Sequence, residues 1–264
     1  MTALAFRQKP LQHKTYLIFA IVSAVIGLAL WSLLSYGGII GPVFLPTPTA
    51  VVAATIELLK NFNLLGDIGA SIVRVMIGFW LAAAIAVPLG IVLAANTTSE
   101  GFLEPPLSFI RYIPPSALLP LLLLWFGIGE TSKVLLIGIA VLPYIAFMVF
   151  DVVRGIQREL IDAAYTLGAS TADVIAKVVV PASLPGIWDA LRVNIGAAWT
   201  FVVLAEIVAA TNGLGHLIVT SQRFIQTPNV IAGIIIIGIL GFVTDLVFKI
   251  TARIFFPWTE KSHA

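Results

Sequence analysis

The chain contains no cysteine, which excludes a disulfide framework, thiol catalysis and a cysteine-ligated metal, and leaves the redox compartment unread. Charge is nearly as scarce. Only 11% of the 264 residues are Asp, Glu, Lys or Arg, against roughly a quarter in soluble domains. No run of Lys and Arg occurs, and the pI near 9.0 rests on a formal net charge of +2, so there is no nucleic-acid footprint. A Gly-x-x-x-x-Gly-Lys-Ser/Thr phosphate loop is absent, so the chain does not bind ATP in that manner. His13, His216 and His263 are too scattered for metal-ligand spacing. No Ser/His/Asp or paired-carboxylate arrangement stands out for catalysis.

What the chain has is hydrophobic length. Apolar residues make up 59% of it, and mean hydropathy is +1.05. A helix needs about 20 apolar residues to cross the hydrocarbon core. Six runs qualify: 16–36, 72–95, 107–126, 134–150, 187–210 and 230–247. The first carries no charge over 21 residues, longer than the roughly 7–15 of a signal-peptide core, and reads as an uncleaved span. Arg111 and the prolines at 114, 115 and 120 interrupt the third, which is therefore predicted to be broken and interior.

Orientation follows from Lys and Arg near the span ends. With the N-terminus cytoplasmic, Arg7, Lys9, Lys14, Arg154, Arg158, Lys177, Lys249, Arg253 and Lys261 lie inside, and only Lys60, Lys133 and Arg223 lie outside. The organisation expected is a cytoplasmic tail over 1–15, one transmembrane domain over 16–257 and a cytoplasmic tail over 258–264. The outside carries a short amphipathic helix after Pro48, and the inside carries the long segment 151–186. No internal repeat is visible, so a passage along a symmetry axis requires a second copy of the chain.

Segment 151–186 is the most polar interruption. A helix is predicted from Glu159 to Leu167, with Gly168 at the left-handed position that ends it. Ser170 and Asp173 have capping-box spacing, and a second helix is predicted from Thr171 to Val180, stopped by Pro181. Ala163 and Ala164 leave one face flat enough for close approach. On helix physics alone this is either an ordinary amphipathic surface helix or a rigid lever for a docking partner.

Asp162-Ala163-Ala164, Gly168 after three residues, and Val178-Val179-Val180-Pro181 after nine more resemble the EAA loop of ATP-binding-cassette (ABC) importer permeases. That pattern is Glu-Ala-Ala, three residues, Gly, nine residues, Ile-any-Leu-Pro; here Asp replaces Glu and two valines replace Ile and Leu. Leu45-Pro46-Thr47-Pro48, Ser71, Arg74 and Gly78-Phe79 resemble the nitrate/sulfonate/taurine/bicarbonate branch of these permeases. So do Arg111-Tyr112-Ile113-Pro114-Pro115, Trp125 to Gly129, Ala198-Trp199, Ala205-Glu206 and Gly213-Leu214-Gly215. The resemblance covers roughly residues 45 to 257.

It implies an all-α, six-span bundle with the type I ABC importer permease fold, in a bacterial cytoplasmic membrane. The implied partners are a second permease copy, two cytoplasmic ATPase subunits that bind the ATP and Mg, an external substrate-binding protein and membrane lipid, with no nucleic acid and no cofactor in this chain. Asp162, Ala163, Ala164, Gly168, Ala169 and Pro181 become the ATPase-coupling residues. A small oxyanion is the implied cargo, nitrate, nitrite or bicarbonate ahead of taurine or alkanesulfonates. A stand-alone secondary transporter would leave the polar segment without a task, and a membrane enzyme would need a catalytic cluster that is not seen.

Ionisable groups inside a span need a partner or a water-filled cavity. Arg192, Trp199 and Glu206 recur every seven residues and so share one helix stripe. Either this stripe lines the passage, or Arg192 pairs with Asp189 or Asp245 while Glu206 pairs with Arg74. Arg111 is either a further anion-facing group or an anchor at headgroup level.

Overall fold

The computed structural model describes residues 13–258, so most of both predicted tails, with Arg7, Lys9 and Lys261, lies outside the described residues. Every regular element among the described residues is helical. The first, α1 (His13–Tyr36), presents no buried residue along its apolar window, as suits a helix surrounded by lipid. It is fastened near its C-terminal end, where Trp31 Nε1 donates to Pro46 O at 3.0 Å and the Tyr36 and Thr49 hydroxyls meet at 2.7 Å. Next, α2 (Pro48–Asn61) starts where the sequence predicts, with Pro48 at the first turn and Thr47 Oγ1 accepting from Ala50 N. It buries Val51, Ala54 and Leu58, one stripe of its surface.

The bundle centre is built from α3 (Leu64–Ala95), α6 (Glu130–Arg154), α9 (Val180–Ala209) and α11 (Thr227–Phe255). Val75, Phe79, Ile137, Ile145, Ile195, Trp199 and Val202 form its fully buried interior. Close packing and small residues hold such helices together where lipid removes the hydrophobic drive. At Gly78 an added Cβ would stand 2.8 Å from Val134 O, so α3 and α6 approach to backbone contact there.

The break predicted within 107–126 is present: it divides α4 (Thr97–Tyr112) from α5 (Pro115–Phe126), bent by 94° about Ile113 and Pro114. The span is not interior to this chain, since Phe109, Tyr112, Leu124 and Trp125 are exposed. Consecutive prolines remove two backbone donors, and Ile113 adopts the extended conformation (φ −73°, ψ 120°) that a residue before proline prefers. With α4 and α5 counted as one bent span, the described residues hold six helical segments long and apolar enough to cross a membrane.

The polar segment is formed by α7 (Arg158–Thr166), close to its predicted bounds, and by α8 (Thr171–Val174), which runs through a π-helical turn (Ile175–Val179) straight into α9. Pro181 does not stop a helix: it sits in the first turn of α9, and residues 171–208 form one long helix. Proline is tolerated where the preceding register has already changed, and Val180 N here reaches back five residues to Ile175 O. Thus α7 projects from one end of the bundle. The other end carries α2, α10 (Leu214–Arg223) and the N-termini of α3, α6 and α11.

Candidate functional site

At the α7 end, no residue of α7 is buried, although the helix is strongly amphipathic. Asp162 and Ala163 are exposed, as are Leu160 and Tyr165, and Leu167 just beyond the helix is 88% exposed. The turn that follows is a Schellman motif: Gly168 N donates to Tyr165 O at 2.9 Å and Ala169 N to Ala164 O at 3.1 Å. Gly168 has φ +84°, a conformation that side-chain-bearing residues avoid. Ser170 Oγ accepts from Asp173 N at 3.2 Å, the predicted cap, and Lys177 holds Asp173 at 2.5 Å. An amphipathic helix with a rigid elbow, touching α8 and the π-helical turn but burying none of its residues, thus stands at the tip of the long α8–α9 rod.

At the opposite end, Arg74 is 2% exposed and ringed by acceptors. Its guanidinium donates to Glu206 Oε1 (2.7 Å), to both Glu130 oxygens (2.5 and 2.7 Å) and to Asn212 O (3.0 Å) and Oδ1 (2.5 Å). Glu206, 0% exposed, also accepts from Ser71 Oγ at 2.8 Å and Gly215 N at 2.7 Å. Lys133, itself buried, adds a second cation at 2.9 Å from Glu130. Two cations and two carboxylates therefore cancel, with Arg74, Lys133 and Glu206 buried and Glu130 exposed at the rim. Gly213, at φ +109°, threads between them; a Cβ would fall 2.5 Å from Arg74 Nη1 and from Glu206 Cδ.

The predicted passage residues are not brought together. Glu206 is consumed by this network and lines nothing. Trp199 is 2% exposed inside the core, donating Nε1 to Thr244 Oγ1 at 3.1 Å. Both are thus buried within this one chain, whereas Arg192 on the same stripe is only partly buried. Arg111 is half-buried at the α4–α5 bend, its guanidinium 4.7 Å above the Phe147 ring. Arg192 pairs with Asp189 at 3.4 Å and Asp245 at 3.5 Å, and Asp245 with Lys249 at 2.5 Å. These four remain partly or largely exposed, beside exposed Val193, Gly196 and Thr200 on α9.

A cavity of about 700 Å³ opens at the α10 end between α2, the start of α3, α10 and the start of α11. Glu57, Asn63, Asp67, His216, Ser221 and Asn229 are among its polar lining. No local motif announces it, because its wall comes from segments more than a hundred residues apart. The one available signal was the density of Asn, Gln, Ser and Thr in 211–229.

The family model described as binding-protein-dependent transport system inner membrane component matches residues 86–260. The chain is 36% identical over 236 residues to the taurine transport system permease protein TauC of Escherichia coli (strain K12), covering 88% of this chain and 86% of that protein. It is 32% identical over 254 residues to the putative aliphatic sulfonates transport permease protein SsuC of Bacillus subtilis (strain 168), covering 96% and 92%. A chain of the inward-facing MetNI methionine ABC transporter superposes with a TM-score of 0.66 at 20% identity, over 72% of this chain and 94% of that one, a likeness of fold. TauC and SsuC are both named for organosulfonates and neither for nitrate or bicarbonate. The chain belongs to the binding-protein-dependent transport system inner membrane component family: it is a multi-pass ABC importer permease with the type I importer fold.

Proposed function

We propose that two copies of this chain form the passage of an importer for small organosulfonates, taurine or alkanesulfonates, driven by two separate ATPase subunits. The ATPases hold the ATP and Mg, and an external binding protein delivers the solute. The α7 end faces the cytoplasm, where Arg154, Arg158 and Lys177 gather as the positive-inside rule requires. Asp162, Ala163, Ala164, Gly168 and Ala169 meet the ATPase, and Pro181 lies where the rod enters the bundle.

One observation carries the reading: α7 is amphipathic, unburied, and joined by a fixed elbow to a 38-residue helix that spans the whole bundle. A push on α7 therefore becomes a movement of α8–α9, the helix that packs on α3, α6 and α11. Alternating access follows if that movement is coupled to repacking between the two copies. Relatives named for taurine and aliphatic sulfonates support the solute class.

Copurification from native membranes tests the assembly. The tagged chain is expected to bring down an ATPase in equal copy number, and Asp162→Lys together with Leu167→Asp to abolish that capture without lowering permease yield. Recovery of the ATPase with the doubly substituted chain would contradict docking through α7.

A further inference from the structure

The cavity at the α10 end has a volume within the roughly 300–1,000 Å³ usual for small-molecule sites. Its floor is apolar, from Ala50, Ala53 and Leu58, and its polar groups converge from α2, α3, α10 and the turn before α11. Its charge is one-sided. Glu57 and Asp67 line it, and no Lys or Arg does. Glu57 forms no ion pair among the described residues. Asp67 Oδ1 accepts from Gly213 N at 2.7 Å, while its other oxygen has no donor among the described residues.

A second feature points to a ligand. Ser221 is 4% exposed and lines the cavity, yet its hydroxyl has no hydrogen-bond partner among the described residues. No buried polar side-chain atom among the described residues lacks a partner, so this hydroxyl is open to the cavity, where an occupant can bond it. The wall is also fixed in advance, since Asp67 is held by the loop that Arg74 and Glu206 pin to α3.

We propose that this cavity is a solute-binding site for a small zwitterion, taking its ammonium group between Glu57 and Asp67, with the hydroxyl and amide groups receiving the rest. That the occupant is a transported solute rests on the importer reading above; that it carries an ammonium group rests on the lining alone. A plain alkanesulfonate would meet two carboxylates and no Lys or Arg here, so the cavity favours aminoalkanesulfonates over alkanesulfonates.

The test uses the full chain, purified in lipid nanodiscs without ATPase, titrated calorimetrically with taurine and with ethanesulfonate, which has the same carbon chain but no ammonium. Taurine is expected to bind, and ethanesulfonate to bind at least about tenfold more weakly, the loss of one charge-assisted hydrogen bond. Glu57→Gln, at an exposed and unpaired position, and Asp67→Asn, which keeps an acceptor for Gly213 N, should each weaken taurine about tenfold with an unchanged melting temperature. Absence of taurine binding, equal binding of both compounds, binding of Ca²⁺ at the site in place of taurine, or indifference to both substitutions would overturn the proposal. ATP-driven uptake measured on the same variants separates the two claims. Uptake of taurine without binding in the cavity sinks this site alone, whereas binding without any ATP dependence of uptake sinks the importer reading.

Discussion

Glu206 illustrates how far one residue can be read. Its partnership with Arg74 was legible because the two lie at matching depth on α9 and α3, and an isolated carboxylate there would be costly. Its other partners were not. Gly215 N and the Asn212 and Glu130 groups around Arg74 come from loops and helix ends whose placement no periodicity encodes, and Ser71, one turn before Arg74 on α3, gives no sign of its partner. The network also changes what a mutant should do. Exchanging Arg74 and Glu206 together should not restore the pair, because an arginine at 206 cannot accept from Ser71 and Gly215 N. Glu206→Ala leaves Arg74 short of a counter-charge and should cost about 3–5 kcal/mol, read as a loss of thermal stability in detergent. Unchanged stability would mean the cluster holds nothing. Gly213→Ala should be destabilising for a different reason, since both its φ of +109° and the 2.5 Å approach of Arg74 exclude a methyl group.

At the scale of elements, the α7–α9 unit was largely readable and failed at one point. The elbow residue, the Ser170 cap and the bounds of α7 follow from side-chain chemistry within a few positions, which is where local rules work best. Pro181 misled because the same residue that ends one helix can begin another; the π-helical turn that reconciles the two registers has no signature in sequence. The right-angled bend between α4 and α5 was likewise legible only as a break, since two prolines announce a kink and not its angle. Gly168→Val should force the elbow out of its left-handed conformation at a cost of about 1–2 kcal/mol. ATP-driven uptake should fall by roughly tenfold while ATP hydrolysis persists. The absence of native cysteine makes a second test clean. Ala163→Cys should react with a water-soluble maleimide in the free permease and be shielded in the complex with ATPase. Equal labelling in both would move the docking surface elsewhere.

Across the whole molecule, the charged chain Asp189–Arg192–Asp245–Lys249 decides which face meets what. Asp245 lies two residues from the inner end of the 230–247 run, and Asp189 and Arg192 lie two and five residues into 187–210, so the four charges gather at the inner edge of the spans. Charges that enter a span need a partner or water, so this side of α9 and α11 is expected to face water or a second copy. The Ile234, Ile239 and Phe242 surface of α11 has no such constraint. Thr200→Cys should therefore react with a charged methanethiosulfonate or crosslink to its counterpart, and Ile239→Cys should do neither; the reverse pattern would place the passage elsewhere. The central claim is that a separate motor drives this passage through α7, and it is tested most directly by taurine uptake into proteoliposomes holding the permease with its binding protein, with and without the ATPase. The account predicts accumulation only with the ATPase and hydrolysable ATP. Equal uptake with the ATPase left out would contradict it.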